Sequence, residues 1–323
     1  KSLFEKEIRE YIEFQRRKGR NIIFHEIGDD LDRNEIKQII KKYYSESSIT
    51  NVILLGNDTI LPTYYTDTKF DSKTPSDYFY GIMGDRNDLI PDVFISRVSV
   101  KTSSELSNIL DKWESVGGSM SISKTLGVAS NEGVNPSDYE YMRMILNPLI
   151  QSHGAKTNFL DQDESNSNMD SFNQYLTNGV DIISYIGHGS GFSWPSFNQA
   201  YNVEDLEEVQ AQVKYPIIFD IACQNGRFSG EGRIGEGFIS GGRDNRKIGA
   251  SIYYGGSVDI SWHPPAVMTA GITKFIANNK GTPIYKAILF GHLYLMKSNA
   301  AQKDIIDNLK WYHLQGDPGT ILL

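Results

Sequence analysis

Apolar residues along this chain follow two alternating rhythms: helical faces of period 3.6 and short runs that are apolar almost throughout. The first face is Phe4, Ile8, Tyr11 and Ile12, on a helix that Gly19 would end. NIIFHEI (Asn21 to Ile27) then reads as a short strand. Asp32 and Glu35 make a capping-box start ahead of a second face, Ile36, Ile39, Ile40 and Tyr43. NVILLGND (Asn51 to Asp58) is a buried strand running into turn residues, and DVFISR (Asp92 to Arg97) is another. Thr102 and Glu105 open a helix with the face Leu106, Ile109, Leu110 and Trp113. The alternation restarts with strands over 125–129 and 157–160 and helices over 139–152 and 171–176. Three strong strands follow over 180–186, 215–222 and 247–255, then helices over 265–277 and 283–296. No segment of 20 to 50 residues repeats.

Strands that are apolar at every position, separated by helices, are covered on both faces. That requires an α/β sandwich with mostly parallel strands. The small, flexible stretch SVGGSMSISK (Ser115 to Lys124) divides the chain into a smaller α/β subdomain, residues 1–117, and a larger one, residues 118–323. Functional groups in such sheets gather beyond the carboxyl ends of strands. The residues after VDIISYI and YPIIFDIA are therefore the ones to inspect.

Composition narrows the classes. In 323 residues, 39% are hydrophobic and 22% charged, as in an ordinary soluble globular protein. A net charge of -8 argues against a nucleic-acid binder. The one basic cluster, QRRKGR (Gln15 to Arg20), reads as the solvated end of an amphipathic helix. No apolar run approaches the ~20 residues a membrane span needs. The first residue is Lys1 rather than Met, so the chain reads as a mature or trimmed fragment whose targeting segment is out of view.

VDIISYI runs straight into GHGSG, which puts His188 just past a strand end, and Cys223 stands in the same place after IIFDIA. If the two strands are parallel neighbours, thiol and imidazole emerge side by side. An imidazole can take the proton of a thiol of ordinary pKa and later return it to a leaving amine. Gly187 and Gly189 would let backbone approach a substrate and offer an N–H to an oxyanion. Other readings stand beside this one. A lone cysteine ending an apolar strand can simply pack, and a glycine loop can cradle phosphate, although this one lacks the lysine and spacing of a P-loop.

An apolar block followed by His-Gly, then an apolar block ending in Ala-Cys, resembles the layout of the caspase-like (clan CD) cysteine peptidases. DIISYIGHGSGFSW with PIIFDIACQNGRF resembles the gingipain family within that clan. NVILLGNDTILP, PDVFISRVSV and YHLQGDPGTILL extend the likeness from about Phe4 to Leu323. The resemblance implies a caspase-like α/β/α sandwich of two adjacent subdomains. It places the nucleophile on Cys223, the general base and acid on His188, and the oxyanion donors on the backbone N–H groups of Gly189 and Cys223. It gives Glu132 the task of orienting the imidazole and Asp138 the base of an arginine pocket. A buried carboxylate there matches a bidentate guanidinium better than an ammonium. Trp262, in SVDISWHPP, would pack over the substrate's alkyl stem. Taken alone, Glu132 is a loop carboxylate and Asp138 a helix N-cap. Asp259 could instead supply the charge for a lysine pocket, and His263 receives no role.

The implied activity is a secreted or cell-surface cysteine endopeptidase acting on proteins or peptides after arginine, or after lysine. Alternatives are a sortase-like processing peptidase or transpeptidase of the same family, and a catalytically idle interaction module. The chemistry needs no cofactor. Asp77, Asp85, Asp88 and Asp92 crowd an irregular loop, and with the family's structural calcium they raise the expectation of a calcium site without assigning its ligands. The single cysteine excludes a thiolate zinc site. Family members begin with a strand before the first helix and continue into an immunoglobulin-like domain. Neither is found here, which leaves room for a second chain fragment from maturation.

Overall fold

The computed structural model describes residues 4–28, 30–68, 73–84, 89–230, 232–243 and 246–323. Eight strands form its main sheet: β1 (Asn51–Leu55), β2 (Phe94–Val98), β3 (Lys124–Ala129), β4 (Lys156–Asp161), β5 (Ile182–Ile186), β6 (Ile217–Ile221), β7 (Ile252–Gly256) and β8 (Tyr312–Gly316). Their order across the sheet is β1-β2-β8-β7-β6-β5-β3-β4. Strands β7, β6, β5, β3 and β4 are parallel to one another, as are β8, β2 and β1. The two blocks meet at the antiparallel pair β7–β8. The closing strand of the chain thus sits in the middle of the sheet and joins the block that begins with β1.

Helices cover both faces, as the apolar strands require. On one side α4 (Asp138–His153), α7 (His263–Asn278), α8 (Ile284–Met296) and α9 (Gln302–Trp311) pack on Ile182, Ile186, Ile217, Phe219 and Ile221. On the other, α1 (Glu5–Arg17), α3 (Ser103–Val116), α5 (Met169–Asn178) and α6 (Ile234–Ser240) pack on Ile183, Tyr185, Ile218 and Tyr253. The period-2 alternation of β5 and β6 assigns each side chain to one layer or the other. A smaller cluster joins α2 (Arg33–Ser47), through Ile36 and Ile40, to Leu54 of β1. The capping boxes read at Asp32/Glu35 and Thr102/Glu105 both form.

Three expectations are corrected. Residues 21–27 form no strand: no ladder is available to their backbone, and Ile23 and Phe24 lie at the surface. The basic cluster is not simply solvated. Gln15 is buried and its amide donates to Asp317 Oδ2 at 2.9 Å, while Arg20 reaches the same oxygen at 2.8 Å. Burial of the α1 face thereby ties it to the closing segment. The N-cap of α4 is Ser137, in a capping box with Glu140, and Asp138 is the first helical residue. Periodicity also passed over α6, α9 and β8. Of the acidic loop, Asp77 accepts from Arg97 and Thr63, and Asp92 accepts from the Met83 N–H at 2.9 Å. Asp85 and Asp88 lie outside the described residues, among which no three His, Cys, Asp or Glu side chains group to hold a metal.

Arg97 of β2 is wholly buried. Its Nε and Nη2 grip Asp77 at 2.6 and 2.8 Å, and Nη1 donates to the carbonyls of Gly56 and Leu61 at 2.8 and 3.0 Å. Removing one partner of such a pair leaves an unpaired buried charge. Arg97→Met should lower the unfolding free energy in a urea titration by about 3–5 kcal/mol. Combining it with Asp77→Leu should recover only part of the loss, because the two carbonyls remain without their donor.

Candidate active site

The parallel pairing of β5 with β6 sets Ile186 opposite Ile221. His188 and Cys223 each lie two residues beyond that pair, so they leave the sheet side by side at its carboxyl edge. The approach is close enough to demand glycine. A Cβ on Gly189 would stand 2.3 Å from the Cys223 carbonyl oxygen and 2.9 Å from Ala222 Cβ. The histidine peptide is pinned on both sides: its N–H donates to Ser196 Oγ at 3.0 Å, and its carbonyl accepts from the Tyr185 hydroxyl at 2.6 Å. Its ring faces Glu132, with Nε2 to Oε1 at 2.7 Å, and lies edge-on to Trp262 with centroids 5.2 Å apart. With Nε2 engaged by a carboxylate, Nδ1 is the nitrogen left to exchange a proton.

Cys223 is partly buried. The Ile260 N–H reaches its sulfur at 3.4 Å, and the sulfur lies 3.7 Å from the Ile260 carbonyl oxygen. Burial pushes its pKa up, the Ile260 N–H acts against that, and the charges of Asp259 and Asp220 add to the rise. Burial thus favours the thiol over the thiolate. Gln224, the next residue, holds a left-handed backbone at φ +62°, and its side chain donates to Asp259 at 2.8 Å. Asp259 is thereby bound to the cysteine loop.

Asp138 opens α4 behind Glu132: its N–H donates to the Glu132 carbonyl at 3.0 Å, and its carboxylate takes the hydroxyl of Ser130. The carboxylate is buried and pairs with no cation among the described residues. Its pKa is pushed up to about 6, chiefly by burial and further by the charge of Glu132, while Ser130 and His188 act the other way. One helical turn on, the Tyr141 hydroxyl meets His263 Nδ1 at 2.5 Å, bringing the starts of α4 and α7 together beside Trp262. The structure thus gathers Cys223, His188, Gly189, Glu132, Asp138 and Trp262 at one edge of the sheet. Sequence reasoning passed over Ser130, Tyr185 and Ser196. Their signal was weak, since each is one polar group among many, assigned only by its partner.

The thiol of Cys223 and the carboxylate-bound imidazole of His188 thus stand at adjacent parallel strand ends of an α/β sandwich with helices on both faces. The chain belongs to peptidase family C25, which matches residues 1–322. Gingipain R2 of Porphyromonas gingivalis is 25% identical over 284 residues, covering 81% of this chain and 36% of its own length. Gingipain R1 of the same organism is 25% identical over 284 residues, with 27% of its length covered. The chain thus spans little more than a third, or less, of these curated relatives. The fold matches the crystal structure of the Arg specific cysteine proteinase gingipain R (RGPB) at a TM-score of 0.86 and 21% identity, covering 98% of this chain and 76% of that one. It matches the complex of Porphyromonas gingivalis RgpB pro- and mature domains equally well, also at 0.86.

Burial of the thiol carries a direct test. The rate of Cys223 alkylation by iodoacetamide should rise with pH to a midpoint above the ordinary cysteine value of about 8.5. A midpoint below neutrality would show a thiolate already formed at rest.

Proposed function

We propose that the chain is a cysteine endopeptidase hydrolysing peptide bonds after a basic residue, with arginine favoured over lysine. The observation that carries this reading is Asp138: a buried carboxylate with no cation beside it among the described residues, on the same loop as Glu132, which holds the His188 imidazole. Such a group is costly to bury, and a guanidinium entering beside Trp262 would offset the cost through two charge-assisted hydrogen bonds. The relatives, gingipains R and an Arg specific cysteine proteinase, agree in kind.

In the proposed reaction His188 accepts the thiol proton on Nδ1 while the sulfur attacks the scissile carbonyl carbon. The carbonyl electron pair moves onto oxygen, where the N–H groups of Gly189 and Cys223 would hold it. Collapse breaks the C–N bond, His188 protonates the departing amine, and a thioester remains on Cys223. Water attacks that thioester, gives its proton to His188, and releases the acid and the free thiol. Glu132 holds the imidazole in its working tautomer and stabilises its protonated form. Cleavage of a partner fragment from this chain during maturation would fit the solved pro- and mature-domain complex of a relative. Secretion or display at the cell surface, and any calcium bound for stability, belong to this same reading through the family resemblance. The described residues contain no helix long and apolar enough to cross a membrane.

Two experiments decide it. Cys223→Ala and His188→Ala should each abolish hydrolysis of short arginine substrates, and turnover surviving Cys223→Ala would sink the mechanism. Asp138→Asn should lower kcat/KM for arginine substrates by on the order of 10²-fold or more, as expected when one partner of a buried charge pair is removed.

The pH dependence has a defined sign. Asp138 is charged above its folded pKa of about 6 and neutral below it. The preference for arginine over an uncharged citrulline substrate should therefore shrink as pH falls from 7.5 to 5, and should vary little with pH in Asp138→Asn. Because its folded pKa is raised, Asp138 binds more protons folded than unfolded between roughly pH 4 and 6, so stability falls as pH rises through that window. The asparagine variant should melt no lower than the parent at pH 7.5.

A further inference from the structure

Asp220 is the one charged residue in the apolar run of β6, three residues before Cys223, and it is fully buried. All its bonds converge on Oδ2. Trp194 Nε1 donates at 2.7 Å, Asn225 Nδ2 at 3.1 Å, and the Tyr253 hydroxyl donates as well. These donors come from the segment following the histidine loop, from the cysteine loop and from β7. Asn225, also buried, then turns its Oδ1 to the N–H of Gly191 at 2.9 Å, three residues beyond His188. Ionised, a carboxylate only accepts hydrogen bonds, and although burial pushes Asp220 up to about 6, with Tyr253, Trp194 and Asn225 acting the other way, it is charged at pH 7.5. Asp220 therefore dictates which end of the Asn225 amide faces it, and leaves the carbonyl end for Gly191.

Between these anchors the backbone is not at rest on its own. Gln224 is left-handed and is held by its N–H to the Val258 carbonyl at 3.1 Å. Gly226 presses against Gly255, where a Cβ would come within 2.3 Å of backbone. Non-glycine residues in that conformation persist only when their surroundings over-determine them.

We propose that Asn225, seated by Asp220, is a positioning residue: it clamps the cysteine loop to the histidine loop and so sets the spacing of the Gly189 and Cys223 N–H groups. The inference rests on the peptidase reading above. Oxyanion donors act only within about 2.7–3.1 Å of the developing charge, and a misplacement of about 1 Å can cost on the order of 10²-fold in rate. Asn225 touches no reacting atom, so its removal should act on kcat rather than on KM.

The test compares the parent with Asn225→Ala and Asn225→Asp on one arginine substrate, at pH 7.5 and 5.5. Asn225→Ala should lower kcat by roughly 10- to 100-fold, with KM within about twofold of the parent. In Asn225→Asp a second carboxyl stands against Asp220. At pH 7.5 the two charges repel, whereas at pH 5.5 one shared proton can rebuild the bridge to Gly191. Its kcat relative to the parent at the same pH should therefore rise as pH falls. Tyr185, Tyr253 and Tyr312 also face Asp220, as does Cys223, and burial pushes all four up, away from this window. Burial pushes Asp220 itself up to about 6, so it titrates inside the window in every variant, and Asn225→Ala, which keeps Asp220 but lacks the amide, is the reference for that titration. An inactive parent would overturn the peptidase reading and this inference with it. An active parent whose Asn225→Ala variant keeps kcat within twofold, or whose Asn225→Asp deficit is the same at both pH values, would overturn the positioning role alone. A pH-independent folding defect could not imitate the expected recovery, because both readings come from one preparation.

Discussion

The parallel register of β5 on β6 is the constraint on which the site depends. Pairing Ile186 with Ile221 brings two strand ends to one level, and everything chemical follows from what each strand carries two residues later. A slip of one residue would turn the side chains of β5 to the opposite layer, so the register is locked by the core rather than by the site. Burial on both faces does that locking: Ile182 and Ile186 belong to the layer of α4 and α7, Ile183 and Tyr185 to that of α3 and α5. The hydrophobic effect thus sets the relative placement of His188 and Cys223 without either side chain contributing to it.

Buried polar groups serve different ends. Arg97 and Asp77 satisfy each other and gather the carbonyls of a turn, so their charges are spent internally. Asp220 receives three neutral donors and keeps the loops that meet beneath it in register. Lys112 spends its ammonium on the carbonyls of Phe238, Ile239 and Ile248 around the end of α6, and burial depresses its pKa to about 7. Asp138 differs from all of these: among the described residues its carboxylate takes one hydroxyl donor, Ser130, and no cation.

Much of this was legible beforehand because it rests on short-range pattern. The cores of β1, β3, β5 and β6 and the faces of α2 and α3 declared themselves by periodicity and capping residues. His188 and Cys223 stood out because each follows an apolar strand and one is flanked by glycines. What stayed hidden depends on a partner distant in sequence. NIIFHEI has the composition of a strand but no ladder to join. Gln15 and Arg20 look solvated until Asp317, about three hundred residues later, is folded against them. Asn225 is an ordinary turn residue until Gly191 and Asp220 are placed on either side of it.

By itself, then, the sequence determined the layered α/β class, the residue types at two strand ends, and an excess of negative charge unsuited to nucleic acid. These follow from local periodicity and composition, which need no knowledge of what packs on what. Only the tertiary structure decided that β8 returns to the middle of the sheet, that Glu132 reaches the imidazole of His188, that Ser137 rather than Asp138 caps α4, and that Asp138 is buried with no counter-charge among the described residues. Each of those is a relation between segments far apart along the chain, set by which buried faces and hydrogen-bonding groups can be satisfied at once.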